Sequence, residues 1–471
     1  MSENELPQDG QRHNRQAQES LRLLGYGELD NPIADRTDVD HDVVVVGGGQ
    51  SGVGAAYGLR RRGLSRVSVI DAAAGESGLA WRTTARMRDL RTPKTLAGPE
   101  FGVPALSFEA WYSGVHSGHG YDGFERARTQ DWADYLAWFR ARVAVEVRHG
   151  IRLTRIEPLE SGFLRLHLAS DAAGTGDAAS SWTEDTRKLI LATGVSGTGG
   201  PLIPPVVSDL PPAVFAHTAD PIDFDALIGK DVAVLGAGSS AFDAAATALE
   251  AGAARVDVYT RRPELTVQPE TGRRPNPLER DVFSLLPDGE RWRRRKEVEA
   301  RGASVPADSV RRVAGFPNYH LHVSAPWSSA VESDGRVRID AADGVRTTDF
   351  VIAGTGYQQD PSTRAELGSI ASEIARWRDR YTPPVHEQSA VLGAAPYLGP
   401  GYELTESVAG SAPWLADIHI FSIGANVSFG LPVGDIPSLA TGLPRLTDAV
   451  AHGLVLADLA RARTAVTAGV P

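Results

Sequence analysis

Two glycine-rich strand–turn–helix units, and a pair of look-alike segments that bracket the second unit, predict an α/β chain in which one wound sheet domain interrupts another. The first unit is VVVVGGGQSGVGAAYGLRRRGLSRVSVID, residues 43–71. The second runs from Val232 through Gly236 to Tyr259. The bracketing segments are Ala192-Thr193-Gly194 and Gly354-Thr355-Gly356-Tyr357. They are expected where the chain leaves the first domain and returns to it.

Valines 43 to 46 read as a strand buried on both faces. Gly47, Gly49 and Gly52 follow as G-x-G-x-x-G, and residues 53–62 read as a helix. Gly47 permits the tight turn, Gly49 carries no side chain to block a pyrophosphate, and Gly52 lets helix and strand pack closely. Gln50 and Ser51 lie in the turn ahead of this helix, whose free N–H groups and partial positive charge suit phosphates. A second strand, 66–70, ends on Asp71, where a carboxylate can accept both hydrogen bonds of a ribose diol. A bare glycine turn is the bland alternative, but strand, helix and terminal acid together point to a dinucleotide.

In the second unit Gly236, Gly238 and Ala241 spell G-x-G-x-x-A, with Ser239 and Ser240 inside the motif and a helix through Ala244–Leu249 after it. From Gly47 to Asp71 is 24 positions, and so is Gly236 to Thr260. Thr260 therefore stands where the first unit has its acid, and Arg261 and Arg262 follow. Loss of the acid removes repulsion against a 2′-phosphate, and two guanidinium groups can grip one. The second site thus suits NADPH. The expected architecture is two Rossmann-type, three-layer domains. A polar arm spans 1–40, the first domain 41–200 and 330–471, and the second domain, with linker and helical excursion, 201–329.

The chain has 471 residues and a net charge of −11 with pI near 5.6, which disfavours nucleic acid or an anionic membrane as partner. It has no cysteine, so disulfides, thiolate metal sites and a redox-active C-x-x-C are excluded. The polar, acidic N-terminus is not expected to be a signal peptide, and no apolar run approaches the ~20 residues of a membrane span. A cytoplasmic protein is the expectation.

Leu21, Leu23 and Leu24 could dock a short helix of the arm. Trp81 follows Gly78, a flat ring beside flexible backbone. Residues 95–125 read as a long surface excursion, and its His116-x-x-His119 lacks further clustered ligands, so no metal is expected. Trp132, Leu136, Phe139 and Val143 mark one helix face. The proline-rich connector 195–230 carries His217. Trp292 to Lys296 reads as a solvated basic helix face. His320 and His322 share one side of a strand. Residues 337–340 and 347–352 read as a hairpin, and a terminal helix covers about 435–463.

The layout resembles the class B flavin-dependent monooxygenases: Baeyer–Villiger enzymes, microsomal-type flavin monooxygenases and N-hydroxylases. The likeness covers about 41–463. It rests on Gly47, Gly49, Gly52 and Asp71, on Gly236, Gly238, Ala241 and Arg261, on Gly78 to Trp81, and on the two bracketing segments. It implies FAD in the first site and NADPH in the second, with Thr193, Gly194, Thr355, Gly356 and Tyr357 at the crossings between domains. It also implies insertion of one atom of O2 into a small organic substrate through a C4a-(hydro)peroxyflavin. The alternative is an NADPH oxidoreductase passing electrons to a quinone or protein acceptor. The family linker fingerprint Phe-x-Gly-x-x-x-His is compressed here to Phe215-Ala216-His217, so the Baeyer–Villiger branch is not assigned. Tyr381 to Pro384 and Pro396 to Gly399 look like a bacterial hydroxylase subgroup with relatives acting on heteroaromatic rings such as urate. Candidate shielding or proton-handling groups near the flavin are Trp81, Arg91, Lys94, His217, His320, His322 and Asn426. A homodimer is compatible with the sequence.

Overall fold

The computed structural model describes residues 8–75, 79–116, 120–170, 180–268, 276–302 and 304–467. The valine run lies in the strand His41–Val46, with Val43, Val44 and Val45 fully buried. This strand is central in a parallel group with Val67–Asp71, Arg148–His149 and the long strand Ser180–Leu191. The long strand serves two purposes. Its first half pairs antiparallel with Leu164–Ser170, itself paired to Ile151–Pro158. Its second half pairs parallel with His41–Val46 on one side and Ile418–Ile420 on the other. Burial follows the change: Ser180 to Arg187 is mostly exposed or half-buried, whereas Leu189, Ile190 and Leu191 are core.

The second domain repeats this plan. Five parallel strands run in the order Tyr319–His322, Arg255–Tyr259, Asp231–Leu235, Phe350–Ala353, Phe215–His217. An antiparallel meander, Trp327–Ser333, Arg336–Ala341 and Gly344–Thr348, precedes Phe350–Ala353. In both domains, then, a meander feeds the strand beside the glycine-turn strand.

Two boundaries differ from those expected. Residue 330 falls inside the strand Trp327–Ser333, and Phe350–Ala353 pairs within the second sheet, so that sheet continues to residue 353. The expected strand over 347–352 divides at Asp349, which accepts from the Asp231 amide at 2.8 Å and pairs with Arg336 at 2.7 Å. The actual crossing is a short antiparallel pair, Gly200–Pro201 with Tyr357–Gln358. The helices Pro277–Phe283 and Asp288–Arg301 also leave the second sheet. Trp292 is buried against Trp377, Leu392 and Val427, and Arg295 donates to the Gly430 carbonyl at 2.8 Å. The basic run is thus solvated only in part: Arg293 and Arg294 face water, whereas Arg291 and Trp292 are buried.

The N-terminal arm docks a helix, as expected, but a longer one. From Gln8 it is a helix, Gln8–Leu23, packed on the helix Phe108–Val115. Ala17 and Leu21 enter the core, His13 stacks on Trp138 at 5.0 Å, and the Trp138 Nε1–H donates to Asn14 at 2.8 Å. Of the three leucines only Leu21 docks; Leu23 and Leu24 are exposed. The excursion is likewise not all surface. Phe108 and Trp111 are buried among Trp132 and Tyr135. Gly78 and His119 lie outside the described residues.

Candidate active site

The first turn is shaped by two glycines that tolerate nothing larger. Gly47 has φ +112°, and a Cβ there would stand 2.3 Å from the Ala192 carbonyl oxygen. A Cβ on Gly52 would stand 1.8 Å from the Gly47 carbonyl oxygen. Gly49 differs: a Cβ would meet nothing within 4 Å. It N-caps the helix Gln50–Arg60 with extended backbone, and no side chain caps the first helical N–H groups. Asp71 forms the rim. Its Oδ2 accepts from the Gly48 amide at 2.6 Å and its Oδ1 from the Ala73 amide at 2.7 Å. Gln50 is a brace: its Nε2 donates to the Gly434 carbonyl at 2.8 Å, and its Oε1 accepts from Trp132 Nε1 at 3.0 Å. Ser51 is buried, with Gly434 against it.

The second turn repeats the geometry. Gly236 has φ +116°, and a Cβ would stand 2.4 Å from the Gly354 carbonyl oxygen. Gly238 is extended and opens the helix Ser239–Ala251 with no side-chain cap. Ser239 Oγ donates to the Ser304 carbonyl at 3.3 Å, and Ser240 is exposed. Ala241 is fully buried, and its methyl occupies the space left by Gly354. After the strand, Thr260 is buried and Arg261 exposed. Arg262 turns away and donates to the Arg301 carbonyl, at the end of the helix Asp288–Arg301, at 3.2 Å.

The two bracketing segments do the same work in each domain. The Ala192 amide donates to Val46 at 2.9 Å, and the Gly354 amide to Leu235 at 2.8 Å. Thr193 Oγ1 donates to the Gly197 carbonyl at 2.8 Å, and Thr355 Oγ1 to the Leu202 carbonyl. Gly194 and Gly356 take positive φ, +64° and +83°. Tyr357 meets His217 edge-on at 5.5 Å.

Among the candidate proton handlers, His217 lies at this crossing. It is buried, and its Nδ1 accepts from the Ala219 amide at 3.0 Å. That bond assigns the ring proton to Nε2, which has no partner among the described residues. Burial pushes its pKa down, so the ring is neutral. His320 and His322 do share a strand face, but His322 is held between Asp257 at 2.7 Å and Asp343 at 2.6 Å and stacks on Tyr259. Tyr259 belongs to the cluster under the antiparallel meander, away from the helix Ser239–Ala251. Asn426 accepts from the Val433 amide at 2.9 Å and closes the turn that delivers Gly434 to Gln50. Lys94 lies over the Tyr121 ring at 4.0 Å. Trp81, on the short helix Leu79–Arg82, is half-buried against the first core. Arg91 does not reach the first turn. It pairs with Asp243 in the second domain. Asp243 carried a sequence signal that went unread: an acid inside an alanine-rich helix buried on most of its residues.

A cavity of about 510 Å³ is lined by Asp89, Tyr112, His116, Phe124, Arg128 and Asp131 among others. None of its lining residues belongs to either turn.

Over residues 44–280, half the chain, the sequence matches the family described as pyridine nucleotide-disulphide oxidoreductase. It is 38% identical to the FAD-dependent urate hydroxylase of Xanthomonas campestris pv. campestris over 428 residues, covering 89% of this chain and 87% of that one. Its fold is similar to the ornithine hydroxylase of Pseudomonas aeruginosa in reduced form, with TM-score 0.67, 18% identity, and coverage of 88% and 100%. It is also similar to the ornithine N-hydroxylase of Kutzneria sp. 744 with reduced FAD, NADP+ and L-ornithine, with TM-score 0.63, 17% identity, and coverage of 88% and 99%.

The chain is a class B flavin-dependent monooxygenase. Within the wider oxidoreductase family it cannot carry out the disulfide exchange of the family's name, because that needs thiols and the chain has none. A class B flavin-dependent monooxygenase needs two nucleotide cradles, and both are formed here. Gly49 and the uncapped helix start fit a pyrophosphate, and Asp71 fits a ribose diol. The second cradle replaces that acid by buried Thr260 and exposed Arg261.

Proposed function

We propose that this monooxygenase hydroxylates a small planar nitrogen heterocycle of the urate class. FAD binds at Gly47, Gly49, Gln50, Ser51, Gly52 and Asp71, and NADPH at Gly236, Gly238, Ser239, Ser240, Ala241 and Arg261. The balance is substrate, NADPH, a proton and O2 going to hydroxylated product, NADP+ and water. Bound FAD supplies the oxygen chemistry. The protein orients both nucleotides and keeps water out. Arg261 takes the 2′-phosphate, and the buried His217 Nε2–H is the proton-bearing group at the crossing. Domain division follows the sheets: 41–200 with 354–467 for FAD, and 201–353 for NADPH, apart from the helical excursion.

The observation that carries the substrate reading is 38% identity to a urate hydroxylase across nearly the full chain. Turnover of urate under 18O2 tests it, with one heavy atom expected per hydroxylated product. NADPH oxidation that puts no heavy oxygen into any organic product would favour the electron-transferring alternative. A cytoplasmic location and a homodimer complete the reading, and light scattering measures the latter.

A further inference from the structure

The segment 86–91 belongs to the first domain by its fastening. The Leu90 amide donates to Ala127 at 2.8 Å, the Thr129 amide to Arg88 at 2.9 Å, and Thr129 Oγ1 to Met87 at 2.8 Å. Thr129 begins the helix Thr129–Arg142, whose Trp132 donates to Gln50 at the start of the first phosphate helix. The same segment grips the second domain. Arg86 donates to the carbonyls of Thr218 at 2.6 Å and Asp220 at 2.7 Å. Arg88 meets Glu250 at 3.0 Å, and Arg91 pairs with Asp243.

Asp243 and Glu250 both lie on Ser239–Ala251, the helix whose N-terminus forms the second phosphate cradle. Asp243 is 3% exposed. Its Oδ1 accepts from Ser309 Oγ at 2.8 Å, with Arg312 Nη1 at 3.5 Å. Arg312 in turn forks onto Glu250 at 3.0 and 3.1 Å and donates to the Arg86 carbonyl at 2.9 Å. A continuous chain of bonded groups therefore runs from the first phosphate helix to the second. It passes through Gln50, Trp132, Thr129, the 88–91 backbone, Arg91 and Asp243. A buried carboxylate facing a guanidinium across a domain seam is costly to separate, because each charge would be left without its partner in a low-dielectric place.

We infer that Asp243 is a positioning residue for the reaction, acting through Arg91 to hold the second nucleotide's helix at a fixed distance from the first cradle. The inference rests on the two-nucleotide reading above. Its partners set geometry and leave the phosphates untouched, so it governs how fast bound NADPH reacts rather than how tightly NADPH binds. Misplacement by about 1 Å can cost up to about 100-fold in rate.

Asp243→Asn keeps the shape and the Ser309 contact but removes the charge that holds Arg91. Anaerobic mixing with NADPH should show flavin reduction slowed about 10-fold or more, with NADPH Kd changed less than about 3-fold and FAD content unchanged. Because the chain lacks cysteine, spin labels on cysteines introduced at Glu160 and Asp334, exposed turn residues of the two domains, report the inter-domain distance directly. The Asn variant should broaden that distribution. If Asp243→Asn loses FAD, Arg91→Lys, at the less buried partner, carries the same two expectations. Reduction within twofold of wild type, an unchanged distance distribution, or a rate and Kd that worsen together would each overturn the inference. A wild-type protein that NADPH does not reduce would instead overturn the two-nucleotide reading itself.

Discussion

Gly47 and Gly236 take nearly the same backbone conformation, φ +112° and +116°, yet the methyl group beside each turn sits on opposite partners. In the first unit the helix carries Gly52 and the crossing segment carries Ala192. In the second the helix carries Ala241 and the crossing carries Gly354. A Cβ on Gly354 would stand 2.4 Å from that of Ala241, so the second cradle admits an alanine on its helix only because the facing residue is a glycine. The surroundings differ too. The first phosphate helix is buried along ten of its eleven residues and pinned at its first residue by Trp132 and Gly434. The second is held from its flank by Asp243 and Glu250. Each helix sits in a core of its own, but the second is also tied to the first domain by charges on its flank.

The largest test of this contrast is Gly52→Ala. With a backbone oxygen 1.8 Å from the new Cβ, the strand–helix contact must open. Overpacking of this kind costs about 3 kcal/mol. The purified variant should be colourless, and an absorption spectrum checks it. Ala241→Gly in the second cradle should retain its flavin, which sharpens the asymmetry. Next in size, Arg261→Ala should raise the KM for NADPH about 10- to 100-fold, from loss of a charged hydrogen bond of roughly 1.5–3 kcal/mol, and leave NADH nearly unaffected. Equal effects on the two coenzymes would remove Arg261 from the site. Arg262→Ala should do less, because that side chain already serves Arg301.

Acid separates the two sheets. Burial pushes His419, beside the long strand of the first sheet, down to about 3. A histidine whose folded pKa lies below its unfolded value contributes stability that is complete above about pH 6.5 and lost as pH falls toward about 3. Between those limits the unfolded state binds the extra proton. Denaturation free energy should fall by up to about 1.4 kcal/mol per pH unit on this account, and His419→Gln should flatten that slope in chemical unfolding measured from pH 7 to pH 5. The smallest effect expected is Trp132→Phe, which leaves the Gln50 amide oxygen unpaired at a cost of about 1–2 kcal/mol. A lowered melting temperature with an unchanged rate of flavin reduction by NADPH would place that brace on the first cradle alone.

Both glycine turns were legible from the residues alone. Glycine at a positive φ, an uncapped helix start and the residue closing the second strand are local properties, and the 24-residue spacing repeats them. The sequence also excluded thiol chemistry outright. What it could not carry were contacts between distant residues. Periodicity marks which face is buried but does not name what covers it. So Gln8–Leu23 looked like a polar arm until Phe108–Val115 provided a surface for Leu21 and Ala17, and the second sheet looked finished at 330 until Phe350–Ala353 paired into it. Arg91 read as a shielding or proton-handling group near the flavin because it follows the first nucleotide unit in the chain. In the folded chain a carboxylate 152 positions away takes it instead. Side chains choose partners by proximity in space, and proximity between domains is fixed by packing rather than by spacing along the chain.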